Sequence, residues 1–310
     1  MKKPLIILSG PTAVGKTDLS IALAKEINGE IVSADSMQVY KYMDIGSAKV
    51  TQAEMQGIKH YLIDELLPNE EFNVVKFQQM AKDALQKIYA KGKIPIIVGG
   101  TGFYIQALLY DISFTDTKED LYREKWETYV HKNGKEALHK ALSQVDPEYA
   151  KEVHENNIKK VVRALSFYDA TGKKLSLHNE EERQRTSPYN YLYFVLTMNR
   201  ELLYKRIDKR VDLMIDNGLL EEVKRLKNLG YTKDLTSMQG LGYKEVLDYL
   251  AGETTLNEAI YILKRDTRHF AKRQITWFKR EKDIIYIEKD QNSLANLLAY
   301  TKERFGNENK

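Results

Sequence analysis

Gly10-Pro11-Thr12-Ala13-Val14-Gly15-Lys16-Thr17 follows directly on the apolar run Leu5-Ile6-Ile7-Leu8 and fits the pattern G-x-x-x-x-G-K-[ST]. The glycines let the backbone curl so that consecutive N–H groups turn inward around a phosphate. The helix behind them presents its positive end to the same anion. Lys16 is placed to reach the outer phosphate oxygens, and the Thr17 hydroxyl to ligate Mg²⁺. Asp18-Leu19-Ser20-Ile21-Ala22-Leu23-Ala24 reads as that helix. The eight residues form a candidate binding site for a polyphosphate; the plain alternative is an incidental glycine turn.

A P-loop ATPase usually carries a second apolar strand ending in Asp, which holds Mg²⁺. The best later strand here, Ile94-Pro95-Ile96-Ile97-Val98-Gly99-Gly100-Thr101, ends in glycines and a threonine instead. An aspartate does follow another short strand, in Glu30-Ile31-Val32-Ser33-Ala34-Asp35-Ser36. Asp35 therefore belongs at the carboxyl edge of a strand neighbouring the P-loop strand, where parallel α/β sheets keep their ligands. A carboxylate near the phosphates, without the ATPase aspartate, suggests transfer of a group to an acceptor. On spacing alone, Asp35 is equally well read as a turn or capping residue.

The elements that must hold these residues are those of an α/β protein. Residues 1–110 alternate short apolar strands with helical segments, the pattern of βαβ units and a parallel sheet with helices on both faces. Over residues 111–186 the strands vanish. Charged helical patterns replace them, such as Asp120-Leu121-Tyr122-Arg123-Glu124-Lys125-Trp126 and Lys135-Glu136-Ala137-Leu138-His139-Lys140-Ala141-Leu142, so this region reads as an inserted all-helical domain. Residues 179–188 read as a polar loop leading back to residues 187–310 of the core. There Tyr191-Leu192-Tyr193-Phe194-Val195-Leu196 and Ile284-Ile285-Tyr286-Ile287 read as strands. Asn199 caps a long helix ending near Gly218, and Gly230 ends the next. A final helix closes the chain before a frayed tail from Gly306 to Lys310.

At 310 residues the chain is long enough for a core plus an insertion, and its 43% hydrophobic content is ordinary for a globular protein. It has no cysteine, which excludes disulfides and thiolate chemistry. The six histidines show no ligand spacing, so a zinc site is not expected. No stretch is long and apolar enough to span a membrane, and the P-loop strand begins where an export signal would stand. A cytoplasmic protein is expected.

The net charge of +4 says little, but its distribution says more. Lys264, Arg265, Arg268, Lys272, Arg273, Lys279 and Arg280 cluster against a single acid, Asp266. His269, Phe270, Trp277 and Phe278 are interleaved with them. Lys264, Arg268 and Lys272 share one helix face. Such a helix suits RNA phosphates and unstacked bases; the alternative is a solvated helix whose aromatics pack inward.

Taken together, these pieces resemble the tRNA dimethylallyltransferase (tRNA isopentenyltransferase) family along nearly the whole chain. The motifs are the loop at residues 10–17; Asp35-Ser36-Met37-Gln38-Val39-Tyr40 running into Met43-Asp44-Ile45-Gly46-Ser47-Ala48-Lys49; and Val98-Gly99-Gly100-Thr101-Gly102-Phe103-Tyr104. Arg163-Ala164-Leu165, Met238-Gln239-Gly240-Leu241-Gly242-Tyr243-Lys244-Glu245 and Ala271-Lys272-Arg273-Gln274-Ile275-Thr276-Trp277 follow in order. The resemblance implies transfer of a dimethylallyl group from dimethylallyl diphosphate to the exocyclic amine of adenosine 37 in tRNA. The loop would then hold the donor's diphosphate, with Mg²⁺ on Thr17, and Lys16, Thr101 and Arg210 would stabilise the departing charge. Asp35 would be the general base.

The same resemblance makes Asp35, Ser36, Met37, Gln38 and Thr101 candidates for contact with the base. Arg123, Lys159, Lys160 and Arg163 of the insertion are candidates for the anticodon stem-loop, as are Gln239, Gly242, Tyr243, Lys244, Lys272, Arg273, Gln274, Trp277 and Arg280. Two departures from the family pattern stand out: Lys160 replaces an arginine, which loses planar bidentate geometry, and Ser47 and Val50 replace a threonine and a proline. A monomer is expected. The competing readings are a P-loop small-molecule kinase, an isopentenyltransferase acting on free adenine nucleotides, and a noncatalytic RNA-binding switch.

Overall fold

Strand positions buried on both faces require a sheet covered on two sides, and β1 (Lys3–Ser9) is buried without interruption from Leu5 onward. The computed structural model describes residues 2–113 and 119–306. The tail reading beyond Gly306 lies outside them. Two units emerge, Met1–Leu109 with Pro188–Lys310, and Tyr110–Ser187.

The first unit continues with α1 (Lys16–Glu26), β2 (Gly29–Ser33), the single turn α2 (Gln52–Met55), β3 (His60–Tyr61), α3 (Val74–Ala90), β4 (Ile94–Gly99) and α4 (Gly102–Leu109). The second unit holds α5 (Glu119–Val145), α6 (Pro147–Glu152), α7 (Ile158–Thr171) and α8 (Leu175–Gln184). The chain then adds β5 (Tyr189–Thr197), α9 (Arg200–Asp216), α10 (Leu219–Asn228), α11 (Tyr243–Leu250), α12 (Leu256–Phe278), β6 (Ile284–Glu288) and α13 (Ser293–Phe305) to the first.

Among the described residues, six strands form one all-parallel sheet in the order β3-β2-β4-β1-β5-β6. Ile6 and Leu8 face a cluster that includes Leu19 and Leu23 of α1 and Leu297 of α13. The alternate residues Leu5 and Ile7 are just as buried and point to the opposite face. The order corrects one expectation: β2 does not adjoin β1, because β4 lies between them. Pro95 is tolerated in this central strand because the register of β4 with β1 begins one residue later, at Ile96 opposite Ile6.

The second unit has its own core of Leu138, Leu142, Val161 and Leu165 with their neighbours. α5 is broken at Gly134 (φ 79°, ψ 168°), so the two charged patterns read from the sequence lie on separate helical stretches. The expected loop at residues 179–188 is corrected as well, since α8 runs to Gln184. Its start is fastened by Asp146, which accepts from the Ser176 N–H (2.8 Å) and hydroxyl (2.6 Å) while also capping α6 through the Tyr149 N–H. Leu175 is buried beside it. At the return to the first unit, Asn199 caps α9 by accepting from the N–H groups of Glu201 and Leu202.

Candidate active site

The loop at residues 10–17 joins the carboxyl end of β1 to α1, with Gly15 in the left-handed region (φ 97°) as the residue before the helix. Lys16 Nζ donates to the carbonyls of Gly10 (2.9 Å) and Pro11 (2.8 Å). Burial lowers its pKa to about 8; the negative charge of Asp35 opposes that shift and Arg210 adds to it. Arg210, on α9, donates to the Thr12 hydroxyl (3.2 Å). Its guanidinium is also pushed downward by burial and upward by Asp35, and at that intrinsic basicity it stays charged. One carboxylate therefore acts electrostatically on two enclosed cations, one of the loop and one of α9.

Asp35 reaches that position through a close backbone approach. A Cβ on Gly99 would stand 2.2 Å from the Ala34 carbonyl oxygen, so only glycine lets the end of β4 touch the segment after β2. The Thr101 N–H donates to the same carbonyl at 3.3 Å. Thr101 itself opens α4, with its carbonyl accepting from the N–H groups of Tyr104 and Ile105. Asp35 Oδ1 accepts from the N–H of Met37 (2.8 Å) and Gln38 (3.3 Å). The turn role weighed against the acid–base role is thus real, and it occupies one oxygen. Among the described residues no hydrogen bond to Oδ2 is seen. Tyr104 stands near this carboxylate, and burial, the Tyr40 hydroxyl and Asp35 push its own hydroxyl up to about 12, so it stays protonated.

Gln274 corrects the sequence reading twice. It is buried (6% exposed), accepts from the Thr12 N–H at 2.8 Å and donates to the Gly100 carbonyl at 3.0 Å. It therefore braces the P-loop against the end of β4 with its side chain turned inward, and the Thr12 N–H is spent on it. Tyr243 is also corrected: it is fully buried, and its hydroxyl donates to Glu222 (2.9 Å). Gly242 is buried, with its N–H donated to Glu245. Gln38 donates to the Ala48 carbonyl (3.2 Å), so its amide holds its own loop.

The remaining candidates are more accessible. Thr17, Gln239, Lys272, Arg273 and Arg280 are exposed, and Ser36, Met37, Lys244 and Trp277 are half-buried. Gln239 nevertheless donates to the Lys233 carbonyl, and Lys244 lies 3.4 Å from Glu245. His269, Lys272, Arg273, Thr276, Trp277 and Arg280 line a cleft of about 400 Å³. The start of the basic stripe is spent internally: Lys264 pairs with Asp212 (2.6 Å) and Arg268 with Asp208 (2.5 Å), both on α9. In the second unit Arg123 pairs with Glu127 (3.0 Å), while Lys159, Lys160 and Arg163 are exposed on the first turns of α7.

The sequence reading missed Glu222. This buried carboxylate accepts from the N–H groups of Asp44 (2.9 Å), Ile45 (2.8 Å) and Gly46 (3.1 Å) besides the Tyr243 hydroxyl. It ties the loop after Asp35 to α10. The signal was available: Leu219, Glu222, Val223 and Leu226 form the buried i, i+3, i+4, i+7 stripe of α10, and a charge on such a stripe needs partners.

A phosphate-type loop at the switch from β1 to α1, with Lys16, Arg210 and the Asp35 carboxylate gathered at the carboxyl edge of a parallel sheet, defines a P-loop α/β protein. Within that class, the chain belongs to the IPP transferase family, whose model matches residues 38–281. A relative named tRNA dimethylallyltransferase from Lachnoclostridium phytofermentans is 60% identical, covering 96% of this chain and 95% of its own length. One of the same name from Acetivibrio thermocellus is 51% identical, covering 93% and 92%. Among solved structures, the full-length tRNA isopentenylpyrophosphate transferase from Bacillus halodurans matches with a TM-score of 0.75 at 41% identity, covering 99% of this chain and 98% of that one. A eukaryotic dimethylallyltransferase described as acting on tRNA matches with a TM-score of 0.83 at 31% identity, covering 99% and 80%.

Proposed function

We propose that this chain transfers a dimethylallyl group from dimethylallyl diphosphate to N6 of adenosine 37 in tRNA, releasing diphosphate. The observation that carries the mechanism is the Asp35 carboxylate within electrostatic reach of Lys16 on the phosphate loop and of Arg210 on α9, which itself touches that loop at Thr12. Family membership and the names of the relatives support the acceptor.

In the reaction the C1–O bond of the donor breaks and an N6–C1 bond forms. The electron pair of the broken bond leaves on the diphosphate. Lys16 and Arg210 face that growing negative charge, and a preorganised donor of this kind contributes about 3–4 kcal/mol to the transition state. By the family resemblance Thr101, just after β4, would join them. The amine becomes cationic as it alkylates, and its proton passes to Asp35 Oδ2; a positioned base contributes roughly 10²–10⁴-fold. Because a neutral exocyclic amine is a poor acid, Asp35 orients the amine first and takes the proton late.

The exposed Thr17 hydroxyl, a hard oxygen in the first turn of α1, fits Mg²⁺. When bound, that ion would neutralise charge on the diphosphate. For the RNA, the reading assigns phosphate contacts to Arg123, Lys159, Lys160 and Arg163, and to Lys272, Arg273 and Arg280 around Trp277. These contacts position the RNA and form a redundant set. One chain supplies the loop, the cations and the carboxylate, so a monomer in the cytoplasm suffices. Among the described residues no helix is long and apolar enough to cross a membrane.

The test is a transfer assay with labelled dimethylallyl diphosphate, Mg²⁺ and unmodified tRNA carrying adenosine at positions 36 to 38. A guanosine-37 variant and free AMP run alongside. Label is expected in the first tRNA only. Label in AMP, or phosphate released from ATP, would refute the reading in favour of a nucleotide-directed enzyme.

A further inference from the structure

Two cations that the mechanism does not use converge on the phosphate loop. At Gly15 an added Cβ would lie 3.2 Å from Lys289 Cε and 3.5 Å from an Arg206 guanidinium nitrogen. Arg206 stands one helical turn before Arg210 on α9, on the same face and about 6 Å away along the axis. Lys289 follows β6 directly, its N–H still donating to the Thr197 carbonyl (2.9 Å) at the carboxyl edge of the sheet. Among the described residues neither side chain has a carboxylate partner. The acids on the neighbouring turns of α9 are committed elsewhere, Asp208 to Arg268 and Asp212 to Lys264.

Lys16, Arg206, Arg210 and Lys289 thus surround one loop, with Asp35 as the facing carboxylate. Three positive charges remain uncompensated, which matches the roughly three negative charges of a diphosphate monoester near neutral pH. The arrangement also has a direction. Asp35 acts on Lys16 and Arg210, so the reacting carbon and its inner phosphate belong at that end. Arg206 lies one turn before Arg210 on α9, and Lys289, just after β6, reaches the same spot beside Gly15.

We propose that Arg206 and Lys289 form a second cationic clamp that grips the outer phosphate of the diphosphate donor and of the diphosphate product. The proposal rests on the donor reading above. A grip on the phosphate far from the breaking bond is made equally in ground and transition states, so it sets donor affinity and product retention and leaves the chemical step nearly unchanged.

The test is calorimetric binding of inorganic diphosphate and of inorganic phosphate to the full chain. The variants are Arg206→Gln, Lys289→Met, the double variant, Lys16→Met as reference, and Lys205→Met, a neighbouring α9 cation displaced about 100° around the helix. The double variant is expected to weaken diphosphate binding at least tenfold and phosphate binding less than threefold. It should raise the donor KM and relieve product inhibition while kcat changes little. Arg206→Lys should recover most of the affinity, and Lys205→Met should resemble the parent. Equal losses for both anions would overturn the clamp in favour of a diffuse field effect. Unchanged diphosphate binding in the double variant, with loss in Lys16→Met, would overturn the clamp alone. A parent chain that does not bind diphosphate would overturn the donor reading and the clamp together.

Discussion

Replacing Glu222 with glutamine tests whether the loop carrying residues 43–49 is held by a buried charge. Glu222 is 3% exposed. Oε2 accepts from the N–H groups of Asp44 and Ile45, and Oε1 from the Gly46 N–H and the Tyr243 hydroxyl. In the variant, the amide oxygen keeps the Asp44 and Ile45 donors, but as neutral bonds, each weaker by about 1 kcal/mol. The amide NH₂ then faces Gly46 and Tyr243. The tyrosine hydroxyl can rotate to accept; the Gly46 N–H cannot, and a buried unsatisfied donor costs about 1–3 kcal/mol. The loop should therefore open more easily by about 3–5 kcal/mol, a hundredfold or more in an equilibrium constant. Native-state hydrogen exchange at Asp44, Ile45 and Gly46 reads this directly: exchange faster by about a hundredfold or more is expected there, with the amides of β1 and β4 unchanged. Tyr243→Phe removes one donor and should show a smaller acceleration. Unaltered exchange at all three amides in Glu222→Gln would refute the claim that this carboxylate holds the loop.

Three further outcomes follow from the site. Asp35→Asn should preserve the turn, because an amide oxygen still accepts from Met37 and Gln38, yet lower single-turnover transfer by roughly 10²–10⁴-fold with tRNA affinity kept within a few-fold; normal modification by Asp35→Asn and Asp35→Ala would exclude the base role. Burial, partly offset by Asp35 and reinforced by Arg210, places the Lys16 pKa at about 8 instead of 10.5. The folded chain thus binds fewer protons than the unfolded chain between those values: Lys16 makes stability rise with pH across that window, while diphosphate affinity falls as the ammonium is lost. Titrating diphosphate binding from pH 7 to 10 should show a decline that sets in near pH 8 and is absent in Lys16→Met. Gln274→Ala leaves the Thr12 N–H and the Gly100 carbonyl without their partner, at about 1–3 kcal/mol each, and should raise the donor KM and lower the melting temperature; a parent-like donor KM would show that the brace does not shape the loop.

Legibility differed by the range of the forces involved. The P-loop was readable because backbone curl, helix start and lysine are encoded in eight consecutive residues, and the strands because their apolar runs are continuous. The strand order was not: nothing in β2 indicates that β4 separates it from β1, since the Gly99–Ala34 approach that fixes the arrangement is a contact between segments 65 residues apart. Residues 179–184 looked like a loop because their polarity carries no period, whereas the Asp146 contacts that start α8 come from another helix. The motif around Gln274 and Tyr243 was visible as a motif, but nothing along the chain shows which way its side chains turn. Both turn inward, and Glu222, which partners Tyr243, was discernible only as a charge on an apolar stripe.

These inward-turning residues explain why the helices after β5 carry so much of the family pattern. Each of the two loops at this edge of the sheet is fastened by one side chain from that region: Gln274 of α12 holds the loop at residues 10–17 through Thr12 and Gly100, and Glu222 of α10 holds the loop after Asp35 through Asp44, Ile45 and Gly46. α12 is itself fastened to α9 by the Lys264–Asp212 and Arg268–Asp208 pairs, and α9 carries Arg210. A displacement of α9 against α12 would therefore move Arg210 relative to the brace on the phosphate loop, Gln274. The basic stripe consequently has two jobs along its length. Its first turns spend their charge on holding α9, and from Lys272 onward exposed cations and the half-buried Trp277 stand together, the part of the stripe the proposed RNA contact would use.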